Sequence, residues 1–220
     1  MKVYAMSDIH GYLAEFETAL SLVDLSGDNK LVLLGDYIHG PETYGVLDKI
    51  MDLQKRYGQD KVIALMGNHC EMALTGRWPL NSVKYDWDKD EKYLGWMLGL
   101  PKYYVEGNTV FVHAGIDEDA GEYWEDSTSE NTYLWKFPEE LGEIEGLEMK
   151  VVAGHIHTSN IARNPNFHEI YYDGASHYYI DGNVHKSGII PVLMVDTETD
   201  KYYHVTEAGE WEILPYSEDF

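Results

Sequence analysis

The sequence holds a single cysteine, Cys70, and three arginines, Arg56, Arg77 and Arg163. One thiol excludes an internal disulfide framework and a cysteine-based zinc cluster, so a reducing compartment is allowed. Basic charge is scarce throughout, with 16 Lys and Arg against 39 Asp and Glu, for a net charge of −23. A sequence-independent grip on nucleic-acid backbone needs clustered cations, and so does docking on an anionic membrane; both are disfavoured. No apolar run approaches the roughly 18 to 20 residues of a membrane span, and the opening MKVYAMSDIHG is too short in apolar residues for a secretion signal. The expectation is a cytoplasmic protein.

What is present is the composition of a folded core. In 220 residues, 44% are hydrophobic and 13% aromatic, enough for one domain spanning 1–220. Short apolar runs recur, and each ends in polar residues: Lys2 to Met6 leads into Ser7-Asp8-Ile9-His10, Leu31 to Leu34 into Gly35-Asp36, and Val62 to Met66 into Gly67-Asn68-His69. Val110 to Val112 leads likewise into His113-Ala114-Gly115, and Val151 to Ala153 into Gly154-His155-Ile156-His157. Runs of this length bounded by Gly predict buried strands, whereas Ala14 to Val23 and Tyr44 to Tyr57 carry the 3 to 4 spacing of helices. The layout is α/β, and in such sheets ligands gather outside the carboxyl ends of strands.

From about Phe167 the pattern becomes strand-like, over Glu169 to Tyr172, Tyr178 to Asp181, Ile189 to Val195, Tyr202 to Val205 and Trp211 to Leu214. These runs predict a second, largely antiparallel sheet packed beside the first. His168, His177, His185 and His204 fall within it and read as surface or packing residues. The acidic, Trp-rich stretch Trp78 to Trp96 reads as a helix packing its tryptophans on the core, or as a helical flap near the mouth of a site.

Collected, the strand-end residues are Asp8, His10, Asp36, Asn68, His113, His155 and His157. All offer oxygen or imidazole nitrogen, which suits Mn, Fe, Zn, Co or Ni rather than a structural thiolate zinc. Asp8 and His10 are two apart, as are His155 and His157, so on extended backbone each pair points to one side. The ordered series Asp8-x-His10, Gly35-Asp36, Gly67-Asn68-His69, His113-Ala114-Gly115 and Gly154-His155-x-His157 resembles the calcineurin-like metallophosphoesterase superfamily. Ser7 to Gly11 and Val112 to Ile116 are similar to its bacterial serine/threonine-phosphatase-like and diadenosine-tetraphosphatase-like members.

The resemblance implies a four-layer α-β-β-α sandwich of two mixed β-sheets and a site with two divalent ions, Mn or Fe ahead of Zn, Ni or Co. Asp8, His10 and His157 would hold the first ion, Asp36 would bridge, and Asn68, His113 and His155 would complete the second. A water bridging the ions would attack phosphorus as hydroxide, and His69 would protonate the leaving oxygen. Protein phosphatases of the superfamily continue the second motif with an Asp and an Arg, but here it reads Gly35-Asp36-Tyr37-Ile38-His39-Gly40-Pro41. His39 is therefore expected to orient His69 or to touch phosphate, with Arg77 and then Arg163 as replacement phosphate contacts. Loss of the planar arginine fork favours an ester or anhydride of a small molecule or nucleotide over a phosphoprotein. A serine/threonine protein phosphatase, a nuclease opposed by the negative charge, and a non-catalytic scaffold are the alternatives.

Overall fold

The computed structural model describes residues 1–81, 86–138, 142 and 144–217. Strands β1 (Lys2–Met6), β2 (Lys30–Leu33) and β3 (Val62–Ala64) alternate with helices α1 (Leu13–Leu20) and α2 (Thr43–Tyr57), and α3 (Asn68–Leu74) and α4 (Trp87–Met97) follow. Next come β4 (Tyr103–Glu106), β5 (Thr109–Val112), the short helices α5 (Trp124–Ser127) and α6 (Glu130–Trp135), and β6 (Lys150–Ala153). The chain closes with α7 (Thr158–Ile161), β7 (Tyr171–Tyr172), β8 (His177–Tyr179), α8 (Val184–Ser187), β9 (Val192–Asp196), β10 (Lys201–Thr206) and β11 (Gly209–Glu212).

The strands form two mixed sheets, one ordered β11-β10-β9-β1-β2-β3 and the other β4-β5-β6-β8-β7. In the first, β1 runs parallel to β2 and β2 to β3, whereas β9 is antiparallel to β1 with Val3 opposite Val195. In the second, β5, β6 and β8 are mutually parallel. The expected second sheet after Phe167 is thus corrected: β7 and β8 extend the sheet of β4 to β6, while β9 to β11 extend the sheet of β1 to β3. Apolar periodicity reports burial and does not name a strand's partner.

Both faces of the central strands are covered, which is why their sequences are continuously apolar instead of alternating. Val3 and Ala5 of β1 pack with Val32, Leu34, Phe111, Val152, Tyr178 and Leu193 between the two sheets. The intervening Tyr4 and Met6 join a second cluster with Phe16, Val46, Leu47 and Ile50 from α1 and α2. Across the inter-sheet layer Tyr178 stacks on Tyr202, centroids 4.3 Å apart. This is the α-β-β-α layering. Among the described residues no helix is long and apolar enough to cross a membrane.

The Trp78 to Trp96 stretch divides between its two expected roles, and residues 82–85 lie outside the described ones. Leu80 and Tyr93 are buried in the core, and the Trp96 indole N–H donates to Gln54 Oε1 at 2.9 Å. Trp78 does the opposite: it is 39% exposed and stacks on His39, centroids 4.2 Å apart.

Candidate metal centre

The loops leaving β1 and β2 are zipped together by backbone: the Asp8 N–H donates to Gly35 O (3.2 Å), His10 to Asp36 O (2.8 Å) and Gly11 to Tyr37 O (2.9 Å). Holding this path puts Asp8, His10, Asp36, His39 and His155 at positive φ, between 46° and 70°. Such backbone is unfavourable for residues with a Cβ by about 1 to 2 kcal/mol each. Strain gathered at five chemically active residues marks a site whose surroundings fix it.

The third and fifth loops approach so closely that only glycine fits. A Cβ on Gly67 would lie 2.2 Å from Asp36 Oδ1, and one on Gly154 would lie 1.9 Å from Ser7 Oγ and 2.3 Å from Asp8 Oδ2. The His155 N–H donates to Asp8 Oδ2 at 2.9 Å, tying a loop of one sheet to a side chain of the other.

At the centre is Asp36, buried, with Oδ1 accepting the His69 N–H at 3.0 Å. Its Oδ2 is 3.5 Å from His113 Nε2, 3.8 Å from His69 Nε2 and 3.9 Å from His10 Nε2. Asp8 Oδ1 stands 3.8 Å from the same His10 nitrogen. These spacings are long for hydrogen bonds. They match donors that share an ion, since ligands about 2.1 Å from a metal stand roughly 3 to 4 Å from one another.

The ring orientations agree. His10 Nδ1 and His113 Nδ1 each lie 3.0 Å from a carbonyl, of Ile38 and Leu34 respectively. A carbonyl only accepts, so both Nδ1 atoms carry the hydrogen and both Nε2 atoms turn a lone pair inward. Asn68 Oδ1 sits 2.8 Å from His113 Nε2, two acceptors side by side, an arrangement that a shared cation would satisfy. Two donor groups close up in this way, His10 with Asp36 and His69, and Asp36 with His113 and His155.

Electrostatics point in the same direction. Burial, reinforced by the charge of Asp8, pushes Asp36 up to about 7. Burial opposes ionisation of Asp8 as well, but His113, His10 and the hydrogen bonds from Ser7 and His155 hold its carboxyl below the usual range. His155 is driven down to about 4 by burial and by His113. Burial also pushes His113 toward its neutral form, so little positive charge faces these crowded carboxylates, and among the described residues the ion-pair partners of Asp8 and Asp36 are all histidines.

His157 stands apart from the two donor groups, 40% exposed, with Nε2 3.8 Å from Asp181 Oδ2. Asp181, which closes the strand-like run Tyr178 to Asp181, is a site residue that no local motif marks. It is buried, its carboxyl held well above the usual range by burial and by the charge of Asp8. The signal was available: Asp181 follows β8, which runs parallel to β6 and so ends at the same edge as His155.

His39 reaches His69, as expected. His39 Nε2 is 3.0 Å from the Pro79 carbonyl, so it carries the hydrogen and leaves Nδ1 as a lone pair. That Nδ1 lies 2.6 Å from His69 Nδ1, which must then be the donor. His69 Nε2 is left as a lone pair facing Asp36. Burial pushes His39 down to about 4 and, with His10 and His39 beside it, His69 down to about 3.

The arginines lie outside this cluster. Arg77 is paired with Glu71 at 2.6 Å, 58% exposed, its Cζ 5.7 Å from the Trp135 ring. Trp135 in turn meets the His155 ring edge-on at 6.3 Å. Arg163 is exposed just beyond α7. His185, expected at the surface or in packing within the second sheet, is exposed but sits on α8, outside any strand, with its ring 5.4 Å from that of His10. Cys70 is buried, and burial raises its thiol to about 12, which keeps it unreactive.

Compared with known proteins, residues 1–187 match the family described as calcineurin-like phosphoesterase. A curated protein of Nitrosospira multiformis named bis(5'-nucleosyl)-tetraphosphatase, symmetrical, is 32% identical over 128 residues, covering 53% of this chain. The match spans 44% of that relative's length. Among solved structures, the cold-active protein-tyrosine phosphatase of Shewanella sp. superposes with a TM-score of 0.68 at 16% identity, covering 96% of this chain and 80% of its own. A protein serine/threonine phosphatase from Saccharomyces cerevisiae gives 0.56 at 12% identity, covering 99% and 81%. At these identities the structural likeness shows the fold alone.

Proposed function

The chain belongs to the calcineurin-like phosphoesterase family, and from that premise we propose that it hydrolyses a phosphate anhydride or ester of a small, nucleotide-like substrate with two divalent metals. The observation that carries this reading is Asp36, whose single buried Oδ2 faces the Nε2 atoms of three histidines at 3.5 to 3.9 Å. Asp8, His10 and His157 would hold one ion, and Asn68, His113 and His155 the other, with Asp36 between them. An oxygen and imidazole donor set suits Mn or Fe, then Zn, Ni or Co. When bound, such ions supply positive charge to phosphoryl oxygens and acidify the attacking water.

The remaining work falls to the chain's own side chains. Ile38 and Leu34 carbonyls fix the tautomers of His10 and His113, and Ser7 and the His155 N–H hold Asp8 ionised and in place. His69 is placed beside the reacting centre but rests with Nε2 unprotonated. It donates to a leaving oxygen only after taking up a proton there, and His39, a neutral acceptor tied to Pro79, gives the resulting imidazolium no counter-charge. A leaving group that departs as a stable anion needs that proton least. The phosphate of an anhydride is such a group, an alkoxide is not.

The test is one metal-reconstituted preparation assayed on a dinucleoside tetraphosphate, p-nitrophenyl phosphate, an alkyl phosphomonoester and a phosphopeptide. Turnover should be abolished by chelation and should favour the anhydride over the alkyl ester and the phosphopeptide. Phosphopeptide turnover equal to or faster than that of the anhydride would replace this reading with a protein phosphatase. Metal binding without turnover of any substrate would leave a scaffold.

A further inference from the structure

We propose that His185, held by Tyr12, is a phosphate-binding residue of this site and takes the place that an arginine fork would otherwise fill. The inference rests on the phosphohydrolase reading above and adds a residue that nothing in the sequence pattern marks.

The segment carrying His185 is anchored by the site itself. Asp181 Oδ1 accepts the Asn183 N–H at 2.8 Å, while its Oδ2 faces His157. Asn183 turns the chain at φ 54°, and Val184 is buried, so the next side chain is carried outward on a short helix with fixed ends. His185 is exposed, and its ring lies 5.4 Å from that of His10, a proposed ligand of the first ion. Tyr12 meets it edge-on at 5.1 Å and places its hydroxyl 2.9 Å from Nδ1. Tyr12 itself is set by the β1 loop, its N–H donating to Ile9 O at 3.0 Å.

With the Tyr12 hydroxyl donating to Nδ1, the ring's hydrogen is on Nε2, a donor suited to a phosphoryl oxygen. A side chain on a flexible stem would lose rotamer freedom on binding, whereas this ring is already held at one nitrogen. Demand for such a donor is high. Arg77 is committed to Glu71, and the motif position that supplies arginine in the superfamily's protein phosphatases is occupied by Gly40.

The test uses the full chain loaded with Mn and reads phosphate affinity separately from turnover. Inorganic phosphate is titrated calorimetrically into wild type, His185→Ala, His185→Gln and Tyr12→Phe, with metal content measured by elemental analysis. A hydrogen bond to a charged partner corresponds to roughly 10-fold or more in affinity. His185→Ala should weaken phosphate binding by about that factor at unchanged metal content and raise KM in parallel, with the loss falling on KM and not on kcat. His185→Gln, which keeps an N–H, should recover part of the affinity, and Tyr12→Phe should lose about 2- to 3-fold. Equal phosphate affinity in wild type and His185→Ala, no phosphate binding by wild type, or loss of metal in His185→Ala would overturn the proposal. Should the preparation hydrolyse no substrate, the hydrolase reading fails while the titration still decides the role of His185.

Discussion

Replacing His39 with aspartate tests the link between a neutral partner and substrate preference. Nδ1 of His39 and a carboxylate oxygen of aspartate are each bonded to Cγ, so the introduced oxygen can take over the 2.6 Å contact with His69 Nδ1. The backbone at position 39 has φ 70°, a region that aspartate tolerates better than most residues. The costs are the Nε2 hydrogen bond to Pro79 and the stacking of Trp78, about 1 to 2 kcal/mol of stability together. The gain is a negative charge facing His69, now held down to about 3. A carboxylate at that distance raises an imidazole by roughly 1 to 3 units, so the protonated fraction of His69 at neutral pH rises between about 10- and 1000-fold. His39→Asp should therefore increase kcat/KM for an alkyl phosphomonoester relative to p-nitrophenyl phosphate by about 10-fold or more. Steady-state kinetics on both substrates, with metal content and melting temperature in parallel, give the ratio directly. An unchanged ratio in a folded, fully metallated variant would refute the reasoning that His39 withholds acid catalysis.

Asp36→Asn should abolish turnover and reduce the content of both metals in elemental analysis, because one buried carboxylate faces ligands of both proposed ions; full activity in a metal-replete assay would remove the two-ion reading. Gly154→Ala forces a Cβ to 1.9 Å from Ser7 Oγ and should lower both melting temperature and metal content, with a cost of about 1 to 3 kcal/mol seen by denaturant unfolding. For the chelated protein, the buried titrating groups set the sign of a pH dependence. His39, His69 and His155 are held down to about 4, 3 and 4, below their unfolded values, so each contributes stability that is full above about pH 6.5 and is lost as pH falls through its folded value; Asp36, raised to about 7, contributes the opposite slope but is outnumbered. Melting temperatures of chelated protein should rise between about pH 4 and pH 6.5 and stop rising near pH 7; a fall across pH 5 to 6.5 contradicts it.

The five strand-end clusters were legible because each follows a short apolar run and a glycine, a local pattern that survives without knowledge of strand order. Asp8, His10, Asp36, Asn68, His113 and His155 converge for that reason. Asp181 and His185 escaped because their place depends on β8 running parallel to β6, a pairing set by side-chain packing between distant segments. The relation of His39 to His69 was anticipated from nearness to Asp36, but its polarity required the Pro79 carbonyl, supplied by a loop 40 residues on. Arg77 looked available from its spacing to His69; Glu71, which pairs with it, gives no sign of doing so in a linear reading.

The pairing of β9 with β1 bears on the order in which the molecule comes into being. Lys2 lies opposite Asp196, so the strand that presents Asp8 has a bare edge until residues 192 to 196 have been synthesised. Contacts this distant in sequence form slowly, because a long loop must close before they are rewarded. A nascent chain still lacking residues 192 to 196 therefore carries all seven proposed metal ligands without the platform that aligns them. Metal loading at the proposed centre would then follow closure of the sheet instead of guiding it, and the proposed hydrolytic site would be assembled only once β9 has docked on β1.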